Sequence, residues 1–241
     1  MRKRADLLLV ERGLFSSRAR AQEAIAAGLV SADGEIVRKA SQALGPEARL
    51  AASPAHPWAS RGGVKLAAAL DAFGLDPAGR LCLDLGASTG GFTDVLLARG
   101  ARAVAAVDVG HGQLDPRLAA DPRVRLIEGR DARTLTAADF DDPPGAVVCD
   151  VSFIPQRLVL PAALPLAASG AWLASLVKPQ FEVGPARVVK GLVKDEAALA
   201  EACEAVRATV AALGWRPLGI IPSPILGGGG AREFLLGARK A

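Results

Sequence analysis

The segment that most constrains the fold is residues 81–92, which read Leu-Cys-Leu-Asp-Leu-Gly-Ala-Ser-Thr-Gly-Gly-Phe. Its apolar start predicts a short buried strand, its small residues predict a tight turn, and residues 92–99 predict an amphipathic helix. Glycines in such a turn let a ligand approach the backbone, and the free amides at the helix start favour a polar or anionic ligand group. A glycine-rich connection without a ligand is the alternative. The dinucleotide pattern Gly-x-Gly-x-x-Gly does not fit, because Ser88 stands in place of its second glycine.

Further apolar segments repeat this alternation of strand and helix. The strands are predicted at residues 81–85, 103–109, 124–129, 146–151, 172–178, 218–221 and 233–237. A long helix is predicted from an Asp195 cap to Gly214, and an alanine-rich helix precedes residue 73. The pattern indicates an α/β domain with a parallel, helix-covered sheet and a ligand at the carboxyl ends of its strands.

The basic residues are concentrated in the first quarter of the chain. Residues 1–61 contain ten Lys or Arg and six Asp or Glu, whereas residues 62–241 contain nineteen of each. This asymmetry indicates an anionic partner such as nucleic acid or a membrane surface, with a solvated basic face as the alternative. The three scattered cysteines indicate a reducing compartment, and no export signal is visible, so we expect a cytoplasmic protein. Residues 158–177 lack charge, but Pro161, Pro165 and Gly170 favour a helix followed by a buried strand over a membrane span.

Residues 1–53 predict a small α+β module. Ser16 and Ser17 can cap a helix over residues 18–27, and Asp33-Gly34 predicts a hairpin bend. The patterns Asp-x-x-Leu from Asp6, Ser-Arg-x-x-Ala from Ser17 and Ile-x-x-Gly-x-Val from Ile25 resemble the S4 RNA-binding domain. The proline-rich residues 54–61 then predict a linker, followed by the second domain over residues 62–241.

The S4 resemblance implies RNA as a partner, and phosphate contacts from basic side chains would supply salt-dependent affinity. The candidate RNA-binding residues are Arg4, Arg18, Arg20, Lys39, Arg61, Arg187 and Lys190. Because Phe15 is the module's aromatic residue, we expect recognition of RNA shape more than base stacking there. We also expect the basic loop of residues 181–195 to close over RNA.

Acidic residues lie at the predicted strand ends. Asp84 can fix the glycine turn or reach a ligand amine, Asp108 can accept hydrogen bonds from a ribose diol, and Asp131 lies where an adenine edge would pass. This set resembles the S-adenosylmethionine site of Rossmann-like methyltransferases, and the glycine turn is similar to that of FtsJ-type ribose methyltransferases, which usually have proline where Thr89 stands. The candidate cofactor-binding residues are Asp84, Gly86, Ala87, Ser88, Gly90, Gly91, Phe92, Asp108 and Asp131.

Four more residues match the Lys-Asp-Lys-Glu tetrad of the FtsJ-type 2′-O-methyltransferases in order and in context. They are Lys65 in Arg-Gly-Gly-Val-Lys, Asp150 in Cys-Asp-Val-Ser-Phe, Lys178 in Val-Lys-Pro-Gln-Phe-Glu and Glu233 in Arg-Glu-Phe. The resemblance implies that Lys178 lies nearest the ribose hydroxyl, that Asp150 orients it, and that Lys65 and Glu233 form an outer pair. A lysine among carboxylates stays charged and positions the hydroxyl, whereas a desolvated one can act as base, and the sequence leaves both open.

An S4 module joined to an FtsJ-like domain resembles the TlyA family, whose members also carry the name hemolysin A. The resemblance implies methylation of a cytidine 2′-hydroxyl in small-subunit ribosomal RNA, and in some members also in the large subunit. A membrane-lytic protein and a catalytically inactive ribosome-assembly factor are the alternatives. We expect no metal, since His56 and His111 are isolated. The oligomeric state is left open.

Overall fold

The computed structural model describes residues 2–241. It divides into two compact units between Pro57 and Trp58. Ala59 is buried, and its backbone N–H donates a 2.8 Å hydrogen bond to the Asp94 carboxylate. The last residues of the expected linker, 58–61, therefore pack as part of the second unit.

The N-terminal unit consists of two helices and short strands around its own core. Its elements are β1 (Lys3–Arg4), α1 (Ala5–Glu11), α2 (Arg18–Ala26), β2 (Val30–Ala32), β3 (Glu35–Ile36), β4 (Ala43–Leu44) and β5 (Leu50–Ala52). The Ser17 hydroxyl accepts a 3.3 Å hydrogen bond from the Arg20 N–H and so caps α2, as predicted. Asp33 and Gly34 have φ of 52° and 88°, the left-handed pair that a two-residue hairpin requires, which confirms the predicted bend between β2 and β3.

The C-terminal unit alternates helices with the strands of one sheet. Its elements are α3 (Gly62–Phe73), β6 (Leu81–Leu85), α4 (Gly91–Ala98), β7 (Ala103–Val107), α5 (Pro116–Ala119), β8 (Val124–Ile127), β9 (Ala146–Cys149), α6 (Gln156–Ala163), β10 (Trp172–Val177), α7 (Pro179–Glu182), α8 (Glu196–Ala212), β11 (Trp215–Pro222) and β12 (Phe234–Lys240). The helix and strand expected within residues 158–177 are α6 and β10. Of the helices in the described part of the chain, none is long and apolar enough to span a membrane.

The seven strands lie in the order β11-β12-β10-β9-β6-β7-β8. β6 to β10 are parallel, whereas β12 is antiparallel to both β10 and β11. The expectation of a wholly parallel sheet was therefore wrong for β12, which runs against the other six strands. The physical reason is the connection over residues 223–233, which is too short for the helical crossover that a parallel pair needs.

The sheet is buried on both faces because its side chains alternate between two cores. Leu83 of β6 packs on one face with residues of α6 and α8, while Cys82 packs on the other with residues of α3 and α4. The chain leaves each central strand at the same edge. Residues Gly86, Asp108, Asp150 and Lys178 consequently follow β6, β7, β9 and β10 at neighbouring positions.

Candidate active site

The glycine turn after β6 has an unusual backbone. Gly86, Ser88 and Gly90 all have positive φ, at 84°, 46° and 90°. A Cβ on Gly86 would lie 2.8 Å from the Asp150 carbonyl oxygen, so the turn packs directly on the loop that follows β9. Only glycine fits this close approach between two loops at the edge of the sheet.

A cavity of about 530 Å³ opens beside this turn, within the range typical of small-molecule sites. Four of the candidate cofactor residues line it: Gly86, Ser88, Asp108 and Asp131. Asp108 accepts hydrogen bonds from the backbone N–H of Ser88 at 2.8 Å and of Gly110 at 2.7 Å. The Asp108 carboxylate is thereby fixed at the cavity wall, where each oxygen retains a lone pair for a ligand hydroxyl.

Asp131 has a second role in the structure. It accepts a hydrogen bond from the Arg133 N–H at 2.9 Å and forms an ion pair with the Arg133 guanidinium at 2.6 Å. These interactions, led by the guanidinium, lower the pKa of the Asp131 carboxyl. Asp131 therefore caps the 3₁₀ turn Ala132–Thr134 as well as lining the cavity.

The other five candidate cofactor residues do not line the cavity. Ala87, Gly90, Gly91 and Phe92 instead build the turn: a Cβ on Gly90 would overlap Leu118, one on Gly91 would overlap the Ser60 hydroxyl, and Phe92 is a core residue. Asp84 is fully buried beneath them. Its Oδ2 accepts a 2.7 Å hydrogen bond from the Thr93 hydroxyl, and burial raises its pKa to about 7.

The four tetrad candidates form two lysine–carboxylate pairs. Asp150 and Lys178 follow the adjacent strands β9 and β10, so their side chains meet, with Lys178 Nζ 2.7 Å from Asp150 Oδ1. Lys65 of α3 forms an ion pair with Glu233, which lies just before β12. Lys65, Lys178 and Glu233 are all less than a tenth exposed.

The two pairs influence each other electrostatically. Burial raises the pKa of Asp150, while the charges of Lys178 and Lys65 oppose that rise and the charge of Glu233 adds to it. The structure therefore brings together all four residues singled out from the sequence. Removing one partner of a buried ion pair leaves the other charge buried without compensation, which destabilises the site.

Several supporting residues were missed in the sequence. The Ser152 hydroxyl oxygen accepts a 2.8 Å hydrogen bond from Lys178 Nζ. A Cβ on Gly227 would overlap the Glu233 carboxylate, so this glycine makes room for the outer pair. Similarly, Gly63 makes room for the Trp58 ring against the start of α3. The sequence signal was the position of these glycines within Gly-rich runs next to tetrad residues.

Phe153 was also missed. Its side chain is 90% exposed, its φ is 65°, and it lies at the cavity with its ring centroid 5.1 Å from that of Phe181. A large aromatic ring held in a left-handed backbone conformation and facing solvent is a feature typical of functional loops.

The candidate RNA-binding residues have varied surroundings. Arg4 and Arg18 form ion pairs with the buried Asp6 at 3.0 and 3.1 Å, and Arg20 donates to the His56 carbonyl at 3.5 Å. Lys39, Arg61 and Lys190 are exposed. Arg187 forms an ion pair with Glu201 of α8.

The loop that was expected to close over RNA packs on the start of α8. Val183 and Val188 contact a small apolar cluster that includes Val193 and Leu199. Among residues 2–241, no group of three or more His, Cys, Asp or Glu side chains is arranged to hold a metal ion.

Comparison with known proteins agrees with this geometry. The family model for FtsJ-like methyltransferases matches residues 58–240, and the S4 domain model matches residues 3–50. The chain is 45% identical over 241 residues to the 16S/23S rRNA (cytidine-2′-O)-methyltransferase TlyA of Mycobacterium tuberculosis, covering 99% of this chain and 90% of that protein.

Two solved structures show the same fold. One, described as "Putative hemolysin from Streptococcus thermophilus", is 38% identical with a TM-score of 0.80 and covers 100% of this chain and 89% of the other. The other, an S-adenosylmethionine dependent methyltransferase from Mesorhizobium loti, is 13% identical with a TM-score of 0.55, covers 73% of this chain and 98% of the other, and shows similarity of fold alone. The chain belongs to the FtsJ-like methyltransferase family and has an S4 domain before its methyltransferase unit.

Proposed function

We propose that this protein transfers a methyl group from S-adenosylmethionine to the 2′-hydroxyl of a cytidine in small-subunit ribosomal RNA, with large-subunit RNA as a second substrate to be tested. The observation that carries the proposal is the meeting of the Lys178–Asp150 and Lys65–Glu233 pairs beside the cavity. The 45% identity to a 16S/23S rRNA (cytidine-2′-O)-methyltransferase supports the choice of substrate.

The cavity residues fit S-adenosylmethionine as cofactor. Asp108 offers carboxylate lone pairs suited to a ribose diol, and Asp131 offers an acceptor suited to an adenine amine. Gly86 lines the cavity without a side chain, and the buried Oδ1 of Asp84 behind the glycine turn makes no hydrogen bond within the described residues. The cofactor supplies a methyl group on a cationic sulfur, which a neighbouring carboxylate-rich wall favours electrostatically.

The chain's own residues must orient the ribose hydroxyl and manage its proton. We assign Lys178 to the position nearest the hydroxyl and Asp150 to holding the Lys178 amine. Lys65 and Glu233 form an outer pair whose charges act on Asp150. As an ammonium, Lys178 donates to the hydroxyl oxygen, and as a neutral amine it accepts the departing proton, and both roles require the geometry seen here.

The two units divide the task of recognition. The S4 unit presents basic side chains for phosphate contacts, which give affinity without reading sequence. Phe153 offers an exposed ring beside the reaction centre on which an unstacked base can lie. Since ribosomal RNA is the substrate, we place the protein in the cytoplasm.

The decisive experiment measures transfer of labelled methyl from S-adenosylmethionine to purified small subunits, large subunits and naked ribosomal RNA. Wild-type protein is compared with Lys178→Met, and with Arg207→Met as the matched control, because Arg207 is a cation on the exposed surface of α8. We expect label as a 2′-O-methylcytidine in small-subunit RNA with wild type and Arg207→Met, and none with Lys178→Met. Binding of S-adenosylmethionine should be retained in all three.

Other results would select another function. Cofactor binding without transfer to any RNA would indicate an assembly factor that lacks activity. Leakage of dye from lipid vesicles without transfer would indicate a membrane-lytic protein. Label on a base instead of a ribose would retain the enzyme class but remove the assigned role of Lys178.

A further inference from the structure

The Lys178 amine lies within reach of three oxygen atoms. Nζ is 2.7 Å from Asp150 Oδ1, 2.8 Å from Ser152 Oγ and 3.4 Å from the Asp150 carbonyl oxygen. Lys178 is only 8% exposed, although the Ser152 residue that contacts it is exposed. The Ser152 hydroxyl and the Asp150 carbonyl accept hydrogen bonds from the amine, whereas Asp150 Oδ1 forms an ion pair with it.

These oxygens differ in what they can do when the amine loses a proton. A neutral amine has two N–H groups and one lone pair, so one of its neighbours should donate to it or move aside. The ionised Asp150 carboxylate and the Asp150 carbonyl can only accept hydrogen bonds. The Ser152 hydroxyl can accept from the ammonium form and donate to the neutral form.

We propose that Ser152 is a positioning residue that holds the Lys178 amine in place in both of its protonation states. This inference rests on the proposed function, because it adds a residue to the same reaction centre. Ser152 also lines the cavity that fits the cofactor, and its hydroxyl contacts the Lys178 amine. The family tetrad does not include this residue.

The charges around Lys178 come from several elements. Asp150 follows β9, Lys65 lies on α3 and Glu233 precedes β12, while the Cys149 thiol of β9 is also close enough to feel the lysine charge. On α7, the Glu182 carboxylate points to the Gln156 backbone N–H at 3.0 Å. None of these groups changes when Ser152 is replaced, so a change in Lys178 titration can be attributed to the lost hydroxyl.

Replacing Ser152 should make Lys178 easier to deprotonate. A hydrogen bond from a charged donor is stronger than one from a neutral donor, so its loss costs the ammonium form more. We expect the titration midpoint of Lys178 in Ser152→Ala to fall by about 0.5 to 1 pH unit. Ser152→Thr keeps a hydroxyl and should keep the wild-type midpoint.

The test uses the full-length protein and does not depend on turnover. Trace labelling of lysine amines with acetic anhydride across a pH series, quantified for Lys178 by mass spectrometry, gives the midpoint directly. Ser169→Ala is the matched control, because Ser169 is an exposed serine near the turn at Gly170 that precedes β10. Methyl transfer across the same pH series, with saturating S-adenosylmethionine, should show the limb governed by Lys178 moving by the same amount.

An unchanged midpoint in Ser152→Ala, an upward shift, or an equal shift in Ser152→Thr would overturn the inference. A mere loosening of the loop would lower the transfer rate while leaving the midpoint in place. Failure of the proposed function has a different signature, since wild-type protein would then transfer no methyl group while the labelling midpoints could still be compared.

Discussion

Gln156 connects α6, which follows Asp150, to β10, which precedes Lys178. It is 1% exposed at the start of α6, its Nε2 donates to the Leu176 carbonyl at 2.8 Å, and its Oε1 accepts from the Ser175 hydroxyl at 2.6 Å. Leu176 and Ser175 belong to β10, which leads directly to Lys178, and α6 begins shortly after Asp150. Gln156→Leu should therefore affect both stability and the reaction centre.

The expected loss in the free energy of unfolding of Gln156→Leu follows from the groups that lose their hydrogen-bond partners. Leucine fills a similar volume, so the main change is that the Ser175 hydroxyl and the Leu176 carbonyl each lose a buried hydrogen bond. At about 1 to 3 kcal/mol for each of the two unsatisfied groups, we expect a loss of about 2 to 6 kcal/mol in the free energy of unfolding. For a unit of this size, that corresponds to a fall in Tm of roughly 4 to 24 °C.

The assay is urea unfolding followed by tryptophan fluorescence. The three tryptophans, Trp58, Trp172 and Trp215, all lie in the C-terminal unit, so the signal reports on that unit alone. The matched variants are Ser175→Ala and the double variant Gln156→Leu/Ser175→Ala. Because the double variant leaves no serine hydroxyl without a partner, its loss should be smaller than the sum of the single losses by about 1 kcal/mol.

Two results would refute this reasoning. A loss below about 0.5 kcal/mol in Gln156→Leu would show that the side chain's hydrogen bonds are readily replaced. Strictly additive losses in the double variant would show that Gln156 and Ser175 do not act through each other.

Three further outcomes are expected. Gly227→Ala should displace the Glu233 carboxylate and lower the transfer rate at least about tenfold in a single-turnover assay, whereas Gly228→Ala, with open space around it, should not. The raised pKa of Asp84, about 7, means that its folded form holds a proton that the unfolded form has lost, so its contribution to stability is present at low pH and is lost as pH rises through 7. Asp84→Asn should therefore flatten the fall in urea stability between about pH 4 and 7, and an equally steep fall would contradict this. Asp6→Asn should remove the ion pairs that fix the positions of the Arg4 and Arg18 side chains. We expect RNA affinity in a filter-binding assay to fall by about tenfold at low salt, with methyl-donor binding unchanged.

The predictions that held from sequence were those fixed by local chemistry. The Asp33-Gly34 bend, the Ser17 cap and the strand–turn–helix at Gly86 each depend on a few adjacent residues, and each lies where it was expected. The tetrad candidates were found together because parallel strands bring their carboxyl ends to one edge, so residues just after β9 and β10 had to be neighbours.

The features that sequence did not predict depend on contacts between distant segments. The position of β12 between β10 and β11 is set by pairing across the sheet, to which local hydrophobicity gives no clue. Likewise, the division of the glycine-turn residues into cavity-lining and supporting positions depends on neighbours such as Leu118 and Ser60, which lie elsewhere in the chain.

The place of β12 has a consequence for biosynthesis. It is the last of the seven strands in chain order, yet it lies inside the sheet, where it pairs with β10 on one side and β11 on the other. A nascent chain that has released β11 from the ribosome has no neighbour for that strand, and Lys65 has no partner until Glu233 emerges. The reaction centre can therefore assemble only after Glu233 and β12 have been synthesised, which keeps shorter nascent chains from modifying RNA.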